Sequence, residues 1–324
     1  MMTIKQIFDL AVKLGIENDL RGATTVRKHL KKEVEKFKKL GREEQREFDQ
    51  EKLTNPFSDT RMFVRDPHKP VKRVMAGIDI DTGEIMLAQR LGEKKPVDLV
   101  ISHHPIGNAL SGLHEVMHMQ AEILALYGVP INVAQSLLHL RISEVSRSVS
   151  PGNHYKAVNA AALLGQDVIC THTVTDNLVA TYLKKFIDRN KKRLETVGDV
   201  MKLLKTVPEY KIAMGQKAGP VLFAGNPDNF TGRIALTEIT GGTESNKDLY
   251  EKISQAGIGT IIGMHMSEDH KKEAEKHHIN AIIAGHMSSD SLGMNLFLDE
   301  LEKKDVEVIV CSGLIRVKRF KKRR

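Results

Sequence analysis

Cysteine is nearly missing: Cys170 and Cys311 are the only two in 324 residues, and neither sits in a C-x-x-C pair. That excludes a disulfide framework and a thiolate zinc site, so a metal here must be held by imidazole and carboxylate. Tryptophan is absent and aromatics are 5% of the chain, which leaves few stacking platforms for a nucleic-acid strand. Zinc-finger and RNA-recognition signatures are missing too. The net charge of +8 has much of its excess in RKHLKKEVEKFKK and RVKRFKKRR. Such runs read as solvated faces and tails, and a nucleic-acid partner is not expected. No apolar run reaches the roughly 18 residues that span a bilayer, and MMTIKQIFDLAVKLGIENDL lacks the order of a signal peptide. The expected setting is the cytoplasm, with no membrane partner. Hydrophobic residues at 41% and charged residues at 28% are ordinary for a globular protein.

Residues 1–70 differ from the rest of the chain. IKQIFDLAVKLGI has helical periodicity, the charge-rich TTVRKHLKKEVEKFKKLGREEQREFDQEKL reads as a helical hairpin, and LTNPFSDTRMFVRDPHKP reads as a linker. From Val71 onward, short β-branched runs alternate with helical segments: VKRVMAGIDI, VDLVIS, VPINVA, DVICTH, GRIALTEI, GIGTIIGM, INAIIAG and VEVIVCSG. This rhythm predicts an α/β fold of mostly parallel strands with helices on both faces. The expected layout is a domain over 71–324, made of halves 71–180 and 223–324 joined by a mainly helical connector at 181–222.

In open α/β sheets, ligands bind beyond the carboxyl ends of the strands. Four predicted strands end in suitable groups: His103-His104-Pro105, His172 through Asp176, Met264-His265, and His286 through Asp290. Neighbouring residues on a strand face opposite ways, but Pro105 stops the strand, so two imidazoles can splay toward two nearby points. That geometry suits two metal ions. His286 and Asp290 are four apart at the opening of a predicted helix and share a face, and Asp176 is placed just before the helical stretch NLVATYLKKF. Imidazole with carboxylate and no thiolate favours Zn, Fe, Mn or Ni.

The blocks DLVISHHPI, THTVTD and IIAGHMSSD, spanning residues 98–290, resemble the signature of the Nif-three-like family, the Ngg-interacting-factor-three proteins, which carry the label GTP cyclohydrolase type two. The resemblance implies an α/β fold, a dinuclear metal site and a homo-oligomer, commonly a toroidal hexamer. Its pattern, H-H-P, then H-T-x-x-D, then G-H-x-x-x-E, makes His103, His104, Asp176 and His286 ligands, with His172 close by. Asp290 stands where the family has Glu, and the helical N-terminus is extra.

A rival motif, His114-Glu115-Val116-Met117-His118, has the H-E-x-x-H spacing that binds Zn on one helix face in zincin peptidases. It would need a third ligand such as Glu144, and its imidazoles otherwise pack behind the H-H-P loop, orienting metal ligands. Gly241, Gly242 and Thr243 lie between a predicted strand and helix, where free N–H groups can hold a phosphate or where Thr243 or Ser245 simply caps the helix. His265 and His270 can face the crevice, whereas His277 and His278 read as surface residues. Together these features predict a hydrolase in which two divalent ions acidify a shared water and His172 or His265 moves protons. The family label implies a small-molecule substrate such as a nucleotide, with its phosphates near the Gly241 loop. The reading from another class is a non-catalytic metal-binding scaffold or regulator.

Overall fold

The computed structural model describes residues 1–320; the last four basic residues of the tail lie outside it. Two sheets carry the fold. The first has strands β1 (Met62–Phe63), β2 (Arg73–Gly77), β3 (Leu99–Ser102) and β4 (Val168–Cys170) from the first half of the chain. The second has β5 (Val221–Ala224), β6 (Arg233–Glu238), β7 (Ile258–Gly263) and β8 (Asn280–Ile283). The last strand, β9 (Glu307–Cys311), returns to the first sheet, giving the orders β9-β2-β3-β4-β1 and β5-β8-β7-β6. All pairs are parallel except the edges β1 on β4 and β5 on β8. The interior strands are buried apart from Arg73 and Gly259, as unbroken apolar runs such as Leu99-Val100-Ile101 require when both faces are covered.

Three helices position the site: α1 (Ile4–Glu17), α2 (His172–Asn190) and α3 (His286–Glu302). The second and third lie between the sheets. Leu178 and Phe297 join the core under the first sheet with Ile4, Ile7 and Phe8 of α1, while Leu183 and Leu292 join the core under the second with Ile262 and Ile282. Helices covered on both sides need small residues where they meet, and Gly293 supplies one: a Cβ there would lie 2.3 Å from the Thr175 carbonyl oxygen. Gly15 of α1 meets α2 in the same way, 2.7 Å from a Val174 methyl. The outer faces of the sheets are covered by Thr82–Gly92 and Lys156–Leu164 on one side and by Met119–Leu126 and Ile131–Val149 on the other.

Three expectations change. VPINVA is not a strand but the start of the 19-residue helix Ile131–Val149. Pro130 precedes its first turn, and Ala134, Leu138, Ile142 and Val145 recur at helical spacing on its buried face, which outweighs the β-branched residues at its head. The helix carrying Asp176 begins at His172, so His172 and Asp176 share its first turn. The third change is at H-E-x-x-H, where the helix breaks after Leu113–Val116 and a new one starts at Met119. The break lets Val116 and Met117 pack against Gly242 and lets Gln120 bind the carbonyls of Gly241 and Thr243 at 2.7 and 2.8 Å. His118 is then exposed, and Glu115 pairs with Lys52 at 2.7 Å.

Candidate metal centre

Backbone bonds carry β3 one step past its end. The amides of His103 and His104 donate to the carbonyls of Gly77 and Ile78, after which Pro105 turns the chain away. The two rings splay to a centroid separation of 5.1 Å, and His172 comes within 5.1 Å of His103 and His286 within 5.2 Å of His104. The four imidazoles therefore come from the carboxyl ends of three strands, where the topology brings both sheets to one crevice.

Asp290 lies at the middle, fully buried. Its Oδ1 faces His103 Nε2 at 3.4 Å; its Oδ2 faces His104 Nε2 at 3.4 Å and His286 Nε2 at 3.6 Å. Asp176 stands beside the Oδ1 side, 3.6 Å from His103 Nε2 and 3.8 Å from His172 Nε2. Three overlapping triads thus have ligand atoms within 4.8 Å of one another: His103-His104-His172, His104-His286-Asp290 and His103-Asp176-Asp290. His103 Nε2, Asp176 Oδ1 and both Asp290 oxygens are buried with no hydrogen-bond partner. Such atoms are costly unless something binds them, and a divalent cation is what this donor set fits.

The outward nitrogens explain why the inward ones are free. His104 Nδ1 donates to Asp79 and His172 Nδ1 to Asp59, each at 2.7 Å. The Thr175 hydroxyl spends its proton on backbone carbonyls, so His103 Nδ1–H is the donor in their 2.9 Å contact. In all three rings the outward bond engages Nδ1 and turns Nε2 toward the cluster, as the atom that would ligate a metal once any proton on it has left. Burial pushes the His103 pKa down to about 4. Burial would raise Asp290, but His103, His104 and His286 hold it far below the usual carboxylate range. Asp176 is pushed up to about 8 by burial, although His172 works against the rise. Burial likewise opposes charge on His172, yet Asp176 and Asp59 bring it to about 9.

The remaining candidates fall around and beyond this cluster. His265 adjoins it, its ring 5.3 Å from that of His286, and approaches Glu244 at 3.9 Å. Gly242 and Thr243 line the crevice with Glu238, His172 and Asp176, around a cavity of about 20 Å³. Gly241 and Gly242 both adopt positive φ, and the nearest following helix starts only at Leu249, so Thr243 caps nothing and Ser245 instead donates to Glu238 at 2.7 Å. His270 is buried between Ser267 and the Ser245 carbonyl. Glu144 is an exposed partner of Arg141, and His277 pairs with Glu273. Asp59 joins the site, and Glu238 and Glu244 stand beside it, without belonging to any sequence motif: Asp59 lies in the stretch that reads as a linker, and a lone acid in a polar stretch gives no signal.

Together these features describe an α/β protein with an imidazole–carboxylate centre where the carboxyl ends of two sheets meet. The chain belongs to the Duf34/NIF3 (NGG1p interacting factor 3) family, whose model matches residues 52–313. Its fold is similar to that of a NIF3 superfamily protein from Sphaerobacter thermophilus, at 27% identity and a TM-score of 0.71 over 79% of this chain and 92% of that one. It is also similar to reduced HcgD from Methanocaldococcus jannaschii, at 15% identity and a TM-score of 0.51 over 83% of this chain and 94% of the other. Comparison with curated protein sequences finds no match.

Proposed function

We propose that the protein is a dinuclear metal-dependent hydrolase acting on a small molecule. The observation that carries this reading is the division of the cluster by Asp290, whose two buried, unpartnered oxygens face different imidazoles. On the Oδ1 side, His103 and Asp176 would complete one ion's donors, and on the Oδ2 side His104 and His286 would complete the other's, with His172 beside the first. Two ions from the group Zn, Fe, Mn and Ni, if held there, would supply an acidified water at neutral pH. Asp59, Asp79 and Thr175 hold the three rings with Nε2 turned toward the cluster. Of the two imidazoles expected to move protons, His172 is engaged by Asp59, whereas His265 faces His286 from outside the triads.

A nucleotide is the substrate suggested by the family label, and a homo-hexamer the assembly. One feature favours the rival reading of a metal-binding scaffold: a cavity of about 20 Å³ holds little more than a water, so a nucleotide would require the crevice to open. Elemental analysis of the purified protein, with His103→Ala and His286→Ala variants, tests the centre. Less than one ion per chain, unaltered in the variants, would sink it. Hydrolysis in a screen of nucleotides, phosphoesters and cyclic amides, lost in the same variants, separates enzyme from scaffold.

A further inference from the structure

Among the described residues eight acids are buried: Asp19, Asp59, Asp167, Asp176, Glu209, Glu238, Asp290 and Asp299. Four are neutralised by a cationic side chain, in the pairs Asp19–Arg21, Asp167–Lys69, Glu209–Arg319 and Asp299–Arg316. Of the other four, Asp59, Asp176 and Asp290 belong to the centre already described. Glu238 does not, and among the described residues it has neither Lys nor Arg in ion-pair range. Among the described residues, the ion-pair partners of its neighbour Glu244 are imidazoles, His265 at 3.9 Å and His270 at 3.7 Å.

These groups converge. A carboxylate oxygen from each of Glu238 and Glu244 and one ring nitrogen of His265 lie within 4.8 Å of one another. Each carboxylate is fixed from behind, Glu238 by the Ser245 hydroxyl at 2.7 Å and Glu244 by the Ser267 amide at 2.5 Å. Burial opposes ionisation of Glu244, yet the His265 contact, His270 and the Ser267 amide hold it at about 2, so it is charged at neutral pH. A separate observation concerns Tyr250. Its hydroxyl is buried without a partner, 1% of the residue being exposed, and after burial itself Glu238 and Glu244 are what push its pKa up. Two carboxylates with no Lys or Arg in ion-pair range among the described residues, Arg141 reaching only the Glu244 carbonyl at 3.1 Å, and an unsatisfied phenol make a wall short of positive charge.

We infer that Glu238, Glu244 and His265 form an accessory divalent-cation site on the wall of the crevice beside the dinuclear centre. Two carboxylates with one imidazole suit Mn²⁺ or Zn²⁺, and the cavity of about 20 Å³ beside Glu238 and His265 leaves room for a water to complete the coordination. None of the three donors belongs to the triads around Asp290, so this site stands or falls separately from the proposed function. It also reassigns His265 from proton transfer to coordination, and the two roles exclude each other in the same ring. With the ion present, the acidic wall becomes one against which an anionic substrate can lie.

The experiment is a Mn²⁺ soak of crystals of the full chain, with anomalous data collected at the Mn edge, alongside elemental analysis after equilibration with micromolar Mn²⁺. The expected result is an anomalous peak bounded by Glu238, Glu244 and His265 and one more equivalent per chain than the Asp290 centre accounts for. Both are lost in Glu244→Gln and in Glu238→Gln while the peaks around Asp290 stay. Absence of that peak in the unmodified protein overturns the inference without any variant having to fold. So does a peak that survives both substitutions, or one seen in soaked crystals without the extra equivalent in solution. Peaks missing around Asp290 would instead count against the dinuclear reading.

Discussion

The first turns of α2 and α3 carry the same pattern, His-x-x-x-Asp, at the carboxyl end of a parallel strand, yet the two are electrically opposite. In α2, His172 is clamped by Asp59, its pKa is raised to about 9, and Asp176 beside it is pushed up to about 8 by burial. In α3, His286 has two-fifths of its side chain exposed and is pushed down by burial, while Asp290 is held ionised by three imidazoles. The spacing is set by the helix; the charge state is set by what the other strands deliver. Asp290 is surrounded by rings from β3 as well as its own, whereas Asp176 has a single ring on its own helix and one from β3.

The largest effect should separate the two aspartates. On the dinuclear reading, Asp290→Asn should take metal content from about two ions per chain to about none, because its two oxygens face imidazoles on both sides of the cluster, whereas Asp176→Asn should remove only about one. Equal losses in the two variants, measured by elemental analysis, would break the asymmetry.

Gly293→Ala should come next, because the new methyl would sit 2.3 Å from the Thr175 carbonyl oxygen and force the two turns apart. A destabilisation of about 1–3 kcal/mol or more is expected in denaturant melts, together with weaker metal binding. A neutral melt would mean that the helices have slack.

Asp59→Asn should weaken metal affinity about 10- to 100-fold by freeing the His172 ring, a loss with no counterpart in α3. Competition with a chelator measures it, and unchanged affinity would show that Asp59 merely packs.

A gentler test is pH. Folded His172, at about 9 against 6.5, and folded Asp176, at about 8 against 3.8, hold protons that the unfolded chain lacks between about 6.5 and 8. The metal-free protein should therefore lose stability as pH rises from about 6.5 to 9. His103, depressed to about 4, acts in the opposite window, below 6.5. Divalent ions displace the same protons, so the Tm gained on adding Mn²⁺ should grow across that rise. A gain independent of pH would place the protons elsewhere.

The smallest effect concerns Cys170, two residues before His172, which is buried and pushed up to about 12. It should resist iodoacetamide at pH 8 in the folded protein, as read by mass spectrometry. Rapid alkylation would mean that the α2 turn opens.

Much of this was legible. Seven of the eight β-branched runs are strands, because an unbroken apolar stretch between polar punctuation has few other uses in an α/β chain. VPINVA failed because its local preference competed with a helical face whose period shows only when read on to Val145. The rings and aspartates of the cluster were readable as a set because the strand-end rule converts sequence position into spatial position. Asp59 was not, since an acid is drawn to His172 across 113 residues by the path of the chain and not by any nearby pattern. Glu238 and Glu244 were hidden likewise: one ends a strand, the other sits in a loop, and neither is in a motif.

The sequence by itself determined the candidate donors. Scarce cysteine left imidazole and carboxylate, Pro105 ended β3 at the histidines, and helical spacing put each His and Asp on one face. Only the tertiary structure decided their states. Which aspartate is ionised, which ring nitrogen faces inward and which buried acids lack a cationic neighbour all depend on groups brought together from distant parts of the chain. Electrostatic energy in a buried site is a sum over spatial neighbours, and spacing along the chain does not contain that sum.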